Sequence, residues 1–435
     1  MNTTKPLKKT VTFFEALALV VGMIIGSGIF LKPGIVLNNA GTPWMSILAW
    51  GVGGIITLAS ALSVAEIAAA IPKSGGLYTY LGELYGGVFG YLLGWVQAVI
   101  SYPASVAALA IAFATYSGYF LPMNDWQQKL LAVLILAFIL IMNVIATKFG
   151  GIIQTVATVG KLIPVAGIIG VGLFSNLAPG FGGIGASAAG AGFGVAVLGT
   201  LWAYDGWIGV TNMAGEIKDP VKTLPKVISI GVMFVIAVYV LFNIAIFKVL
   251  PYDQIVSSKT PGADAAEALF GSGGGAFITA GIIVSVLGAL NGYLMTAARV
   301  PQVMGEQNQI PFSRVLSSIH PRFQTPANAL IFQSVLAVIY IFSGTFDTLT
   351  DLLVFVLWIF FTMGVFGVFI LRKKMPAEKG RYRVPLYPVT PIIGVAGGLY
   401  ILGSTIVSDP LRSLIGIGIT LAGLPVYYAL SRKNQ

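Results

Sequence analysis

The sequence has no cysteine and a single histidine in 435 residues. No disulfide can therefore form, within the chain or to a partner. No metal-ligand cluster and no nucleophile beside a base can be read from it, so a membrane enzyme is disfavoured. Charge is scarce as well. Only 9% of residues are Asp, Glu, Lys or Arg, where a soluble domain carries roughly 25%. That is too little to cover a water-facing surface, and no segment is long or polar enough to be a soluble output domain of a sensor. Apolar residues fill the space instead, at 57% of the chain, in runs of about 20 residues that match ~30 Å of hydrocarbon. This composition predicts an all-α polytopic membrane protein, since the weak alternating strands of a membrane barrel are missing. The opening "MNTTKPLKKT" has the look of a signal peptide. The apolar run behind it is too long, lacks a small-residue cleavage site and precedes more spans, so it reads as a retained helix.

Twelve spans are expected, at 12–39, 44–71, 86–119, 127–145, 150–174, 191–214, 225–249, 273–300, 325–343, 349–372, 385–407 and 411–431. An even number puts both termini on one side. Of the 25 basic residues, nineteen fall on the side of the N-terminus, four on the other, and Lys32 and Lys161 lie within spans. Positive charge accumulates on the cytoplasmic face, which places both termini in the cytoplasm. The net charge of +10 is spread over alternate loops rather than gathered in one patch, so a nucleic-acid partner is not expected. "IPKSGGLYTYLGELYGG" (Ile71 to Gly87) is too polar to span and suggests a short interfacial or re-entrant helix. "SNLAPGFGGIGASAAGAG" (Ser175 to Gly192) reads as an external loop, and "RKKMPAEKGRYRVP" (Arg372 to Pro385) as a cytoplasmic one. The two spans after that loop look appended to a ten-helix core.

Two spans contain helix breakers at mid-depth. In the first, "VVGMIIGSGIFLKPG" (Val20 to Gly34) carries Gly26-Ser27-Gly28; in the sixth, "LWAYDGW" places Asp205-Gly206. Each is the first span of a five-helix half, and paired interruptions in corresponding positions point to inverted repeats with substrate bound at the midplane. The halves are 12–174 and 191–372, followed by 385–431. Where a helix stops, the next half-helix presents unpaired N–H groups and partial positive charge, while the preceding half presents carbonyls of opposite sign. A zwitterionic amino acid satisfies both ends. On this reading Gly26, Ser27 and Gly28 offer N–H groups and the Ser27 hydroxyl to a carboxylate. Carbonyls near Ile24, Trp202 and Ala203 accept from an ammonium. Asp205 would N-cap the second half of the sixth helix, and Tyr204 with the two tryptophans would shape the pocket. Taken alone, Gly22 and Gly26 form a small-xxx-small pattern of the kind that serves close packing; the second break at the matching place favours binding. A nucleotide loop is not supported, because no strand precedes the Gly-Ser-Gly.

Lys161 lies in the fifth span, about 16 Å of helix inward from Gly150, where a charge is expensive and marks a functional site. Snorkelling to the headgroups is the alternative; the preferred expectation is an ammonium bonded to carbonyls freed at the break in the first span. Glu66 could be a packing or gating contact, Lys32 could point to the outer vestibule, and His320 is expected in a solvated cytoplasmic loop.

Several motifs in order, "GMIIGSGIFLKPG", "AEIAAAIPKSGGLYTYL", "VGKLIP", "LWAYDGW", "GEIKDPVKTLPK", "SVLGALNGYLMTAARVPQVMGEQNQIP" and "HPRFQTP", resemble the amino acid–polyamine–organocation superfamily. Within it the chain is similar to bacterial members of the L-amino acid transporter family, from about Phe13 to Tyr428. The resemblance implies five plus five inverted repeats and two extra helices, the fold first described for a bacterial leucine transporter. It implies sodium-independent exchange of neutral amino acids by alternating access, without a cofactor. Substrate contacts carry over to Ile24, Ser27, Gly28, Trp202, Ala203 and Asp205, and the family's fifth-span lysine, which stands where relatives of the fold bind sodium, to Lys161. Two departures are noted. Trp202 replaces the usual phenylalanine, and "LPMNDWQQ" between the third and fourth spans lacks the cysteine through which human members join a glycoprotein, so no disulfide-linked heavy subunit is expected. The expected function is exchange of small neutral L-amino acids in a bacterial cytoplasmic membrane, with lipid as the other partner. A proton- or sodium-coupled symporter is the alternative. Sodium coupling usually wants paired hydroxyls in the eighth span, and Ser285 there is followed by Val286.

Overall fold

The computed structural model describes residues 11–73, 75–145, 147–177, 192–212, 214, 217–323, 325–375 and 381–433. Most of the expected external loop (178–191), the middle of the basic loop (376–380) and Lys5, Lys8 and Lys9 lie outside them. Among the described residues the structure is almost wholly helical, and the extended pairing is a single bridge between Val11 and Ile217. Eight helices among the described residues are long and apolar enough to cross a membrane, nine with the bent first pair.

The chain begins with α1 (Phe13–Ile24) and α2 (Gly28–Ala40), bent by 41° at the break between them. Thr12 and Glu15 close a capping box at the start of α1, and Gly41 ends α2 in the left-handed region that glycine adopts without strain. α3 (Pro43–Ala70) starts with Thr42 accepting from the Met45 N–H and Pro43 in its first turn. The short α4 (Gly76–Tyr85) stands where the polar segment predicts a non-spanning helix. α5 (Gly87–Val96) passes through a π-helical turn, Gln97–Ser101, into α6 (Tyr102–Ser117). Next come α7 (Asp125–Ile145) and α8 (Thr147–Gly172), then α9 (Phe193–Ala203), α10 (Gly209–Asn212) and α11 (Pro220–Val249). After α12 (Tyr252–Ser257), α13 (Pro261–Ala297) runs on with a kink at Gly271. α14 (Arg299–Glu306), α15 (Ser313–Leu316), α16 (Ala327–Ser343), α17 (Phe346–Lys374), α18 (Val389–Ser408), α19 (Pro410–Leu421) and α20 (Gly423–Lys433) complete the chain. The shorter apolar helices, in the last part of α8 and in α9 and α16, fall where the fifth, sixth and ninth spans are expected.

Apolar side chains of α1, α2, α3, α6, α9, α11, α13 and α17 form one continuous core. Two of the charged groups inside it, Lys32 and Glu66, are paired with opposite charges, as burial favours. Glu66, near the end of α3, receives a bidentate bond from Arg372 of α17, both distances 2.9 Å, and the Val384 N–H at 2.7 Å. The Arg372 guanidinium also lies 3.7 Å from the centre of the Tyr387 ring. Glu66 is thus a clamp that fixes the segment leading to α18 against the ends of α3 and α17.

Candidate functional site

The two interruptions meet at the centre of the bundle. A Cβ built on Gly28 would lie 2.5 Å from Ala203 Cα and 2.7 Å from Ala203 Cβ, closer than real side chains approach. Gly28 is therefore the point where the start of α2 lies flush against the end of α9. Gly206 has a φ of 107°, in the region natural to glycine, and its missing Cβ would stand 3.1 Å from Met23 O. Gly26 is looser, with the Ala289 Cβ 3.4 Å from the corresponding position.

The chemistry sits on these two breaks. Ser27 is the N-cap residue of α2 but makes no side-chain capping bond. Its hydroxyl is buried without a partner. The first N–H groups of α2, like those of any helix, have no acceptor within it. At the other polarity, Lys161 is fully buried, and its ammonium donates to Gly22 O at 2.6 Å and Ile25 O at 2.8 Å. These are carbonyls at the C-terminal end of α1, where a cation suits the helix dipole. The Ile24 and Ala203 carbonyls share one phenol: the Tyr239 hydroxyl of α11 lies 2.8 Å from each. A hydroxyl has one proton, so it serves one carbonyl at a time, and both retain accepting capacity.

Trp202 covers this gap. It is buried, its Nε1 has no partner, and its ring meets Phe346 edge-on at 6.0 Å and Tyr293 at 6.5 Å. Phe346 and Asp347 also line a cavity of about 580 Å³ with Leu31, Ile35, Lys129 and Lys259, so that cavity ends on the residue that packs over Trp202. Lys32 completes the cover. It is fully buried and bonds Asp347, at the edge of that cavity, at 3.0 Å and Asp351 at 3.2 Å.

Three expected roles differ in detail. Asp205 does not cap α10, which starts four residues later; its carboxylate accepts from the Tyr293 hydroxyl at 3.0 Å, because the turn at Gly206 directs it toward α13. The Tyr204 hydroxyl donates to Trp50 O at 3.0 Å, and its ring packs on Trp50 and Tyr239, behind the break rather than under Trp202. Ser285 is fully buried with an unpartnered hydroxyl, one turn from the Ala289 that faces Gly26. Tyr239, Tyr293, Phe346 and the Asp347–Asp351 pair were not singled out by sequence reasoning. The two aspartates carried a usable signal, since acids one turn apart at the head of an apolar span demand a partner.

A profile described as amino acid permease matches residues 11–429. The chain belongs to that family. The serine/threonine exchanger SteT of Bacillus subtilis is 44% identical over 98% of each chain. The b(0,+)-type amino acid transporter 1 of mouse is 32% identical over 98% of this chain and 88% of its own. The human cystine/glutamate transporter is 31% identical over 97% and 85%. This amino acid permease is accordingly a multi-pass membrane transporter and not an enzyme, with relatives among the L-amino acid transporters.

Proposed function

We propose that this permease is a sodium-independent, obligatory exchanger of small neutral L-amino acids of the size of alanine, serine and threonine. The observation that carries this reading is the Lys161 ammonium on the Gly22 and Ile25 carbonyls, beside a second break that Gly28 and Ala203 press against the first. A fixed cation then holds the opened end of α1, a place where a coupled transporter would need a mobile one. The substrate carboxylate takes the N–H groups at the start of α2 and the Ser27 hydroxyl. Its ammonium takes the Ile24 and Ala203 carbonyls, with Tyr239 yielding its bond to one of them. The side chain lies beneath Trp202, whose bulk favours small residues. Ser285 contributes from α13, and Asp205 is held by Tyr293. The 44% identity to a serine/threonine exchanger supports the same substrates.

On this reading the chain has twelve spans, with inverted repeats at 12–174 and 191–372 and two further helices at 385–431. It lies in a bacterial cytoplasmic membrane with both termini inside, and it needs no disulfide-linked subunit. The test is counterflow in proteoliposomes. Vesicles loaded with unlabelled serine should accumulate radiolabelled serine or alanine at least about tenfold faster than empty ones, without sodium. Equal entry into empty vesicles would overturn exchange, and a sodium requirement would overturn the role given to Lys161.

A further inference from the structure

The two aspartates that share Lys32 open into different cavities. Asp347 lines the larger one. Asp351, one turn further along α17, lines a second cavity of about 170 Å³ with Asp409, Arg412, Ser408, Ser413 and Thr405. Its walls are α9, α17, α18 and α19, and glycines bring them together on two sides. A Cβ on Gly194 of α9 would collide with Ser404 Oγ of α18, and one on Gly416 of α19 would stand 2.8 Å from Val356 Cγ2 of α17. The space is thus bounded by tight contacts rather than left by loose packing.

Its polar lining is unequal in donors and acceptors. The hydroxyl protons are used within their own helices: Thr405 donates to Ile401 O at 2.8 Å, Ser413 to Asp409 O at 2.9 Å, and Ser408 to Ser404 O. Each hydroxyl oxygen therefore has only accepting capacity left. Asp351 meets Lys32 through one carboxylate oxygen, at 3.2 Å, and its other oxygen can accept from the cavity. Donors come from Arg412, whose Nε meets Asp409 at 3.3 Å and whose terminal amino groups carry further N–H bonds. With Lys32 and Asp347 included, three carboxylates meet two cations, a net charge of −1. Buried charge favours a partner, so the cavity suits one more cation, with an anionic group at Arg412. A bare metal ion fits poorly where a guanidinium shares the site. The mouth, by contrast, is apolar. Val407 and Leu411, chain neighbours of Ser408 and Arg412, are exposed, as is Leu414, on helices apolar enough to cross a membrane.

We propose that this cavity holds the headgroup of a phospholipid bearing ethanolamine. The ammonium lies on Asp351 and the neighbouring hydroxyl oxygens, the phosphate on Arg412, and the acyl chains run past Val407 and Leu411. Guanidinium and phosphate match in geometry as well as charge. A choline headgroup has the same charges but no N–H to donate, and a headgroup with phosphate alone leaves the net charge uncompensated. Because Asp351 is shared, the lipid ammonium competes with Lys32, which then rests on Asp347 in the other cavity. None of this depends on which amino acids the protein carries.

The absence of cysteine gives a local readout. A fluorophore on Leu411→Cys, in phosphatidylcholine vesicles, is quenched by phospholipids with brominated acyl chains that settle beside it. Brominated phosphatidylethanolamine should be preferred over brominated phosphatidylcholine at least about fivefold, with the mono- and dimethylated ethanolamine lipids falling in steps between them. Equal quenching by all four would overturn the proposal with the cavity unaltered. Asp351→Asn should abolish the preference while the melting temperature stays near that of the parent, since Asp347 still holds Lys32; a surviving preference would overturn the site. Arg412→Gln should weaken phosphatidylcholine against a phosphate-free galactolipid by about threefold or more, and no change would overturn the phosphate contact. Asp347→Asn lies in the other cavity, yet it should lower the ethanolamine preference about twofold, because Lys32 then depends on Asp351 alone; an unchanged preference would overturn the competition. Soluble glycerophosphoethanolamine in roughly tenfold excess should leave the quenching as it is. Relief of quenching would make the occupant a soluble phosphoamine and overturn the lipid.

Discussion

Lys161 and Gly28 show how one residue commits the centre of this bundle. Lys161→Met keeps most of the stem volume and removes the charge, leaving Gly22 O and Ile25 O without their donor. An unmet buried acceptor costs about 1–3 kcal/mol, enough to shift the opened end of α1 without unfolding a large bundle. The expected outcome is exchange reduced at least tenfold, roughly 1.4 kcal/mol of barrier, with normal yield of folded protein by size-exclusion chromatography. Undiminished exchange would leave Lys161 only a structural part. Gly28, expected to offer its N–H to a carboxylate, is also a packing position. Its space is already filled by Ala203 backbone, so even Gly28→Ala should force α2 and α9 apart, at about 1–3 kcal/mol for overpacking. Gly26→Ala meets Ala289 at 3.4 Å and should fold normally. Thermal melts of the two variants in detergent separate these cases: equal melting temperatures would contradict the asymmetry.

Helices far apart in the chain are tied by charge where they pass each other. Lys32 of α2 is fully buried between Asp347 and Asp351 of α17, which remain 44% and 31% exposed. Removing one partner of a buried pair costs roughly 3–5 kcal/mol when the other charge is stranded, but here either carboxylate can hold the ammonium. Asp347→Asn and Asp351→Asn should each be mild, and the double variant should lose more folded protein than the two losses together, a coupling read in melting temperature. Lys32→Met added to the double variant should restore much of the loss; no restoration would mean that the carboxylates act apart from Lys32. These ties mark the limit of what the sequence discloses. The breaks, the depth of Lys161 and the non-spanning α4 were legible because each follows from local composition and helix rise. The partners of Lys32, Glu66 and Asp205 were not, because they lie 88 to 319 positions away and such contacts leave no periodic trace. The aim of Asp205 depended on the turn geometry at Gly206.

At the scale of the whole molecule the two faces are built unequally. One side opens into the cavity that ends at Phe346, with Lys129 and Lys259 as its cations. The opposite side holds most of the basic residues and a set of side-chain closures. The Tyr78 hydroxyl of α4 meets the side-chain amides of Gln307 and Gln309, Lys374 bonds Leu84 O at 2.9 Å, and Glu66 grips Arg372. A bridge between Val11 and Ile217 puts the start of α1 and the end of the sixth span on that same side, in accord with the even number of expected crossings between them. If positive charge decides orientation, this face is cytoplasmic. The absence of cysteine makes the point testable with one residue at a time. In intact cells a membrane-impermeant maleimide should label Lys259→Cys, while Lys373→Cys should react only after the membrane is broken. Each variant should retain counterflow, which confirms that the labelled protein is the folded one. Labelling of Lys373→Cys in sealed cells, with Lys259→Cys protected, would invert the molecule and place the cavity that ends at Phe346 on the cytoplasmic side.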